Sequence, residues 1–384
     1  MNRRDFHFAW LWATLANWLK PSLPPVFGGE GIEGANAALT YRKMFAWAEG
    51  LLSEDVDWLR ESATIAIDNP RAVAMVQAAS SALEAMREAA SIRQCRWENE
   101  VLSPDDLDKE PLKPASLLSV IRVTCLSARR HTRMGQGLEA LNELFAGLTL
   151  AHRVGTGGVL IARILEGGSE GHLFRTLGRL LPRWDHATLD DLSRRLEVLA
   201  PPEPASATIG PESRFILGSI RGKLRTTRPR IDDEEWTNIG FGKEETEALK
   251  RLTGGDRDKL LAHLETTGPA FAELARRLDL PRPGYRAALD EFAKSEQSTQ
   301  PIVAALVANA SGNIHVVDRM IALRSLIKAA LVLLRQGQPA FRKHLDPFGK
   351  GPFGLTRRGQ VDLIRSALSD ESRQEVSLEI GGPI

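Results

Sequence analysis

Residues 318–336 read DRMIALRSLIKAALVLLRQ, and the spacing of the apolar residues in this stretch decides the fold. Met320, Ile321, Leu323, Leu326, Ile327, Ala330, Leu331 and Leu334 are too many for one helical face. They cover most of a helix and leave Asp318, Ser325, Lys328 and Arg335 as a narrow polar stripe. Such a helix belongs at the centre of a helical assembly, with other helices packed around it. Arg319 and Arg324 fall outside the stripe, so its burial is expected to be incomplete. The same pattern reaches back to about Val303, with a break or bend expected near Gly312.

The rest of the chain follows the same 3.6-residue period. Tyr41, Met44, Phe45, Ala48 and Leu52 form one stripe, with Trp47 beside it. Ser53 is expected to cap a helix carrying Glu54 and Asp55 in its first turn. Pro70 opens a long helix to about Ile92. Further helices are expected from Ala115, from Gln136 to His152, and from Gly157 to Leu181 with an interruption at Gly167-Gly168. Another follows Thr188 as its cap. Helical pattern returns over Pro211–Leu224, Arg225–Glu244 reads as an exposed loop, and shorter helices fill Glu245–Leu278. A helix is expected over about Tyr285–Lys294. Near the end, Phe353–Leu355, Val361–Ile364 and Glu375–Ile380 suit strands separated by turns. The expected fold is all-α, an irregular antiparallel helical bundle or array, with a small C-terminal β hairpin. Its expected parts are an N-terminal segment (1–35), a helical bundle (36–200), a second helical part packed on the first (201–340), and a loop with the hairpin (341–384).

The chain has 384 residues, and its 50 Lys and Arg balance 49 Asp and Glu. That leaves no basic excess of the kind nucleic-acid binding requires. The two cysteines, Cys95 and Cys125, sit in no metal-binding spacing. They read either as small buried thiols or as one disulfide in an oxidising compartment.

The N-terminus, MNRRDFHFAWLWATLANWLK, supports two readings. Arg3-Arg4-Asp5-Phe6 followed by an apolar run fits a twin-arginine export signal, with Ala35-Asn36-Ala37 as a cleavage site. Alternatively, the segment is an amphipathic helix with His7, Thr14 and Asn17 on one side and Phe8, Trp10, Leu11, Trp12, Leu15, Trp18 and Leu19 over the rest, suited to dock on the body of the protein, on a partner or in a membrane surface.

Little in the sequence points to chemistry. Gly155-Thr156-Gly157-Gly158 opens a helix, and helix N-termini bind anions, but no strand precedes it and Walker or Rossmann spacing is absent. His315 and Asp318 lie one turn apart on one helix and could pair, while the histidines as a group read first as capping or solvated residues. His131 and His152 are the histidines on which an enzymatic reading would rest. The basic stretches Arg129–Arg133 and Arg225–Arg230 read as solvated faces or as contacts to anionic lipid.

Three features carry a resemblance. One is Asn36-Ala37-Ala38 with Tyr41-Arg42-Lys43-Met44-Phe45. Another is Cys95-Arg96-Trp97 with Leu150-Ala151-His152. The last and most specific is Leu345-Asp346-Pro347-Phe348-Gly349-Lys350-Gly351-Pro352-Phe353 with Arg357-Arg358-Gly359. Over roughly 36–380 the chain resembles uncharacterised helical envelope proteins of planctomycete and acidobacterial type, whose C-terminal loop is similar to that of pseudopilins. The resemblance implies a tight Pro/Gly turn pinned by aromatic rings to the long helix. It implies no activity. Ser366-Ala367-Leu368-Ser369-Asp370-Glu371 lacks the Gly-Asp-Gly pattern of the pseudopilin calcium turn, and Gln338-Pro339-Ala340-Phe341 stands where the family often has Tyr-Pro.

The expected function is that of a non-enzymatic, envelope-associated helical scaffold or interaction protein, periplasmic or membrane-associated, with a cytoplasmic location as the alternative. Its partner would be a protein or a membrane surface, not nucleic acid, met through Trp10, Leu11, Trp12, Leu15 and Trp18. The alternative is a module that binds an apolar small molecule or lipid between helices, in a closed cavity on the order of several hundred Å3. No catalytic residue, cofactor or metal ligand is assigned. N-terminal sequencing and fractionation of the native protein separate the two readings of the N-terminus. A mature start near Ala38 in the periplasm makes MNRRDF an export label, and an intact Met1 makes the tryptophan segment part of the working protein.

Overall fold

The structure, a computed structural model, describes residues 35–97, 114–281, 284–297, 299–369 and 375–382. Among them are sixteen α-helices and a three-stranded antiparallel sheet. The tryptophans and leucines of the N-terminal segment lie outside the described residues.

The helices, in chain order, are α1 (Ala37–Glu49), α2 (Ser53–Arg60), α3 (Pro70–Ala78), α4 (Ser80–Ser91), α5 (Pro114–Arg133), α6 (Gly137–Gly155), α7 (Leu160–Leu180), α8 (His186–Val198), α9 (Ile209–Leu224), α10 (Asp233–Ile239), α11 (Lys243–Thr253), α12 (Arg257–Glu265), α13 (Gly268–Leu278), α14 (Tyr285–Glu296), α15 (Pro301–Gln336) and α16 (Gln338–Phe341). The sheet is β1 (Gly354–Arg358), β2 (Val361–Ser369) and β3 (Glu375–Ile380), in that order.

The helix read first is α15, and it is the axis of the fold. It packs on α7, α8, α11, α13, α14 and the inner face of the sheet. Met320, Leu326, Ile327, Ala329 and Ala330 are fully buried on it. The expected bend at Gly312 is absent, and the helix runs unbroken for 36 residues. Arg324, expected to limit burial, is itself buried, because Glu170 of α7 receives its guanidinium. Helix α7 also runs through Gly167-Gly168 without the expected interruption. Gly167 faces Val316 and Met320 of α15, where any added side chain would overlap them. The glycine serves close helix approach rather than a break.

Helices α5, α6 and α7 pack on one another in sequence, and α1 and α4 close the far side. Two of the sequence features meet there. Asn36 caps α1 and exchanges hydrogen bonds with the backbone of Arg96, both 2.8 Å. Trp97 stacks on Tyr41 with ring centroids 5.7 Å apart. Arg153 of α6 donates to the carbonyls of Ala89 (2.7 Å) and Ile92 (2.5 Å), the orphan acceptors at the end of α4.

Several boundaries differ from expectation. The segment from Pro70 to Ile92 is two helices, turned at Ala79, whose ψ is 0°. The stretch expected as a loop after Arg225 contains α10, started by a capping box between Asp232 and Glu235. Asp185, not Thr188, caps α8, its carboxylate accepting from Thr188 N at 2.7 Å. Leu52 rather than Ser53 holds the cap position of α2, and it is exposed. Arg129, read as part of a solvated basic stretch, is buried and donates to the carbonyls of Ser62 (2.6 Å) and Ile65 (2.5 Å).

The three C-terminal segments form a meander, one strand more than a hairpin. Arg358 pairs with Val361 across a two-residue turn in which Gly359 takes φ 62°. Val376, Leu378 and Ile380 alternate inward onto α7 and α15, as a half-buried strand requires. The Asp-Pro-Phe-Gly loop is held by Asp346, which is buried. Its carboxylate accepts from Phe348 N (2.9 Å), Ser366 Oγ (3.0 Å) and Ala367 N, tying the loop to β2. Cys95 and Cys125 are free and buried, and burial pushes both thiols up to about 11.

Candidate functional site

The residues most suggestive of chemistry gather where α6 ends and α7 begins. Within α7, Arg163, Glu166 and Glu170 are all fully buried. Glu166 accepts from Arg163 on its own helix and lies 3.0 Å from His152 Nδ1 of α6. Gly155 makes room for this carboxylate, since a Cβ there would overlap it. Arg163 also donates to Glu203 Oε2 at 2.7 Å. One turn on, Glu170 is held by Arg324 of α15, whose guanidinium also reaches the carbonyl of Ala200.

This set contains the order of a hydrolytic triad: Thr156 Oγ lies 3.4 Å from His152 Nε2, and Glu166 lies on the other ring nitrogen. The arrangement is closed. Thr156 is 2% exposed and His152 4% exposed, and the Thr156 hydroxyl donates to the His152 carbonyl at 2.8 Å. Arg163 further commits Glu166 to an ion pair. A reactant needs access to the nucleophile, and here interior side chains surround it. His131 does not join the set. It lies near the α5–α6 turn, bonded to Gln136 at 2.7 Å, and α6 separates the two histidines by roughly 20 Å. His315 bonds to Arg286 at 2.9 Å, and Asp318 is buried on the same helix.

The glycine turn at 155–158 does open a helix, and its anion site is filled from within the chain. Gly157, with φ 61°, donates its N–H to Glu203 Oε2 at 3.1 Å. The first N–H of α7, on Leu160, donates to Glu212 Oε2 at 2.9 Å. The positive end of the helix thus receives carboxylates in place of a phosphate. Both come from the stretch around the Pro-rich segment at 201–207. Asn313 of α15 anchors that stretch by donating to Thr208 Oγ (3.0 Å) and to the Ala205 carbonyl (3.3 Å). Sequence gave no sign of these occupants. Among the described residues no group of three His, Cys, Asp or Glu side chains is placed to hold a metal ion, and no helix is long and apolar enough to cross a membrane.

A second site is open. A pocket of about 210 Å3 lies between α9, the α10–α11 turn and the first half of α15. Ile216, Phe241, Ile302, Ala305 and Leu306 give it apolar walls, and Thr237, Glu245 and Asn309 supply polar groups. It is smaller than the cavity expected from sequence, and it is half open rather than closed. The exposed large apolar residues, among them Leu39, Met134, Val198, Leu252 and Leu345, are spread along the chain from α1 to the loop after α16.

Comparison of the chain with protein-family models, with curated proteins and with solved structures finds no match.

Burial makes Glu212 a titrating group in the neutral range. It pushes the carboxyl up to about 7 from an ordinary value of 4.5, against the opposing pull of the Leu160 N–H. A carboxyl raised by folding contributes fully below its unfolded value, and that contribution is lost as pH rises toward about 7. Glu212→Gln keeps the acceptor and removes the titration. Urea unfolding across this range should show the variant gaining on the wild type by roughly 3 kcal/mol as pH rises. A difference that does not change with pH contradicts the assignment.

Proposed function

We propose that this chain is a non-catalytic, envelope-associated helical binding protein. The pocket between α9, the α10–α11 turn and α15 takes a small apolar group. The carrying observation is the pocket itself: apolar walls from three elements, an open mouth, and Thr237 and Asn309 placed to orient what enters. A cavity of about 150 Å3 lined by aliphatic and aromatic side chains accommodates benzene. At about 210 Å3 this one suits a ring or the end of a short chain. The closed state of the His152 cluster favours binding over catalysis. Envelope placement rests on Arg3-Arg4-Asp5-Phe6 and on the family resemblance. In this reading the segment with Trp10, Trp12 and Trp18 is either the export label or the anchor.

The test is calorimetry and thermal shift with ring-sized and short-chain apolar probes: indole, cyclohexanol and octanoate. At least one should bind saturably, and Ala305→Trp, which fills the pocket, should abolish that binding without lowering the melting temperature. Absence of saturable binding by every probe, or binding that survives Ala305→Trp, contradicts the reading.

A further inference from the structure

Helices α8 and α15 run antiparallel, and two contacts fix their register. Asp190, near the start of α8, pairs with Arg335 at the end of α15. Just past the end of α8, the Ala200 carbonyl accepts from Arg324. Each step forward along α8 is therefore matched by a step back along α15. Two turns beyond Asp190 stands Glu197, and two turns before Arg335 stands Lys328. Residues two turns apart share a helix face, so Glu197 and Lys328 stand at one level, in the relation that Asp190 and Arg335 hold. Asp190 and Arg335 bridge. Glu197 and Lys328 do not: both are exposed, and neither has a hydrogen-bond or ion-pair partner among the described residues.

The space they leave is a cavity of about 310 Å3, open to solvent on one side. Glu197 lines it from α8 and Lys328 from α15. Leu196 and Leu331, both buried, and the half-buried Val332 give it apolar surface. His344, in the chain after α16, lines it as well. Its ring stacks on Phe353 with centroids 6.0 Å apart, which fixes the imidazole. Burial, and then the charge of Lys328, hold that imidazole below its ordinary pKa. At neutral pH it therefore offers a hydrogen bond without adding charge. An acid from one helix, a base from the other and apolar side chains in the same cavity match a molecule that carries both charges on an apolar body.

We propose that this cavity binds a free α-amino acid with an apolar side chain. Glu197 receives the α-ammonium, and Lys328 with the His344 imidazole takes the α-carboxylate. The ligand's side chain lies on Leu196, Leu331 and Val332. Bound there, the zwitterion completes the bridge that Asp190 and Arg335 make directly. A cavity of about 150 Å3 takes benzene, so about 310 Å3 has room for a molecule the size of leucine or phenylalanine. A simple carboxylate would leave Glu197 unmatched, and a simple amine would leave Lys328 unmatched. Lys328 lies roughly 28 Å along α15 from Asn309, so the site is separate from the apolar pocket and stands whether or not that pocket binds.

The experiment uses the full chain. Leucine and phenylalanine are titrated calorimetrically, followed by analogues that lack one charge. The acids are 4-methylpentanoate and 3-phenylpropanoate, and the amines are 3-methylbutylamine and 2-phenylethylamine. At least one amino acid should bind saturably, and its acid and its amine should each bind about tenfold or more weaker. Glu197→Gln should erase the preference over the acid, and Lys328→Gln the preference over the amine. Both variants should melt with the wild type, because an exposed side chain without a partner carries little stability. Absence of saturable binding by both amino acids, an analogue that binds as tightly as its parent, or amino-acid binding that survives both substitutions overturns the proposal.

Discussion

Two carboxylates one helical turn apart, Glu166 and Glu170, constrain the whole structure. Both are fully buried on α7, and neither can be left uncompensated there. Glu170 takes its partner from α15, 154 residues further along the chain. Glu166 takes Arg163 from its own helix and His152 from α6. Satisfying both fixes the register of three helices at once. Burial pushes the Glu170 carboxyl up and Arg324 pulls it back, so the pair holds only while the helices stay packed. The sheet rests on the same two helices, with β3 against α7 and α15.

A core knotted in this way closes its own polar interior. The triad-like order Thr156–His152–Glu166 is therefore a product of packing, sealed by the Arg163 ion pair and by the committed hydroxyl of Thr156. The N-terminal turn of α7 is likewise filled by Glu203 and Glu212. Helix α15 also has an open side, where its first half borders the apolar pocket. One helix organises the core and lines that pocket.

Periodicity made the fold class legible, because an apolar helix such as α15 has to be surrounded. Two differences share one physical origin. Gly167-Gly168 look like helix breakers taken locally, whereas Gly167 is used for close approach to Val316. Arg324 looks like a limit on burial because nothing near it in sequence announces Glu170. Helix α10 is a separate case, since its start signal, Asp232 three residues before Glu235, is local and present. The site was less legible than the fold. The glycine turn opens a helix, but its carboxylate occupants come from distant segments, Glu203 from the Pro-rich stretch and Glu212 from α9. The apolar pocket joins residues of α9, α10, α11 and α15 that share no motif.

The most direct test of the central constraint is urea unfolding of Arg324→Met, Glu170→Leu and the double variant. Arg324→Met strands a buried carboxylate and should cost about 3–5 kcal/mol. The double variant removes the charge that would be stranded, so it should be more stable than Arg324→Met alone. Losses that simply add would contradict the account, because the two groups would then not depend on each other.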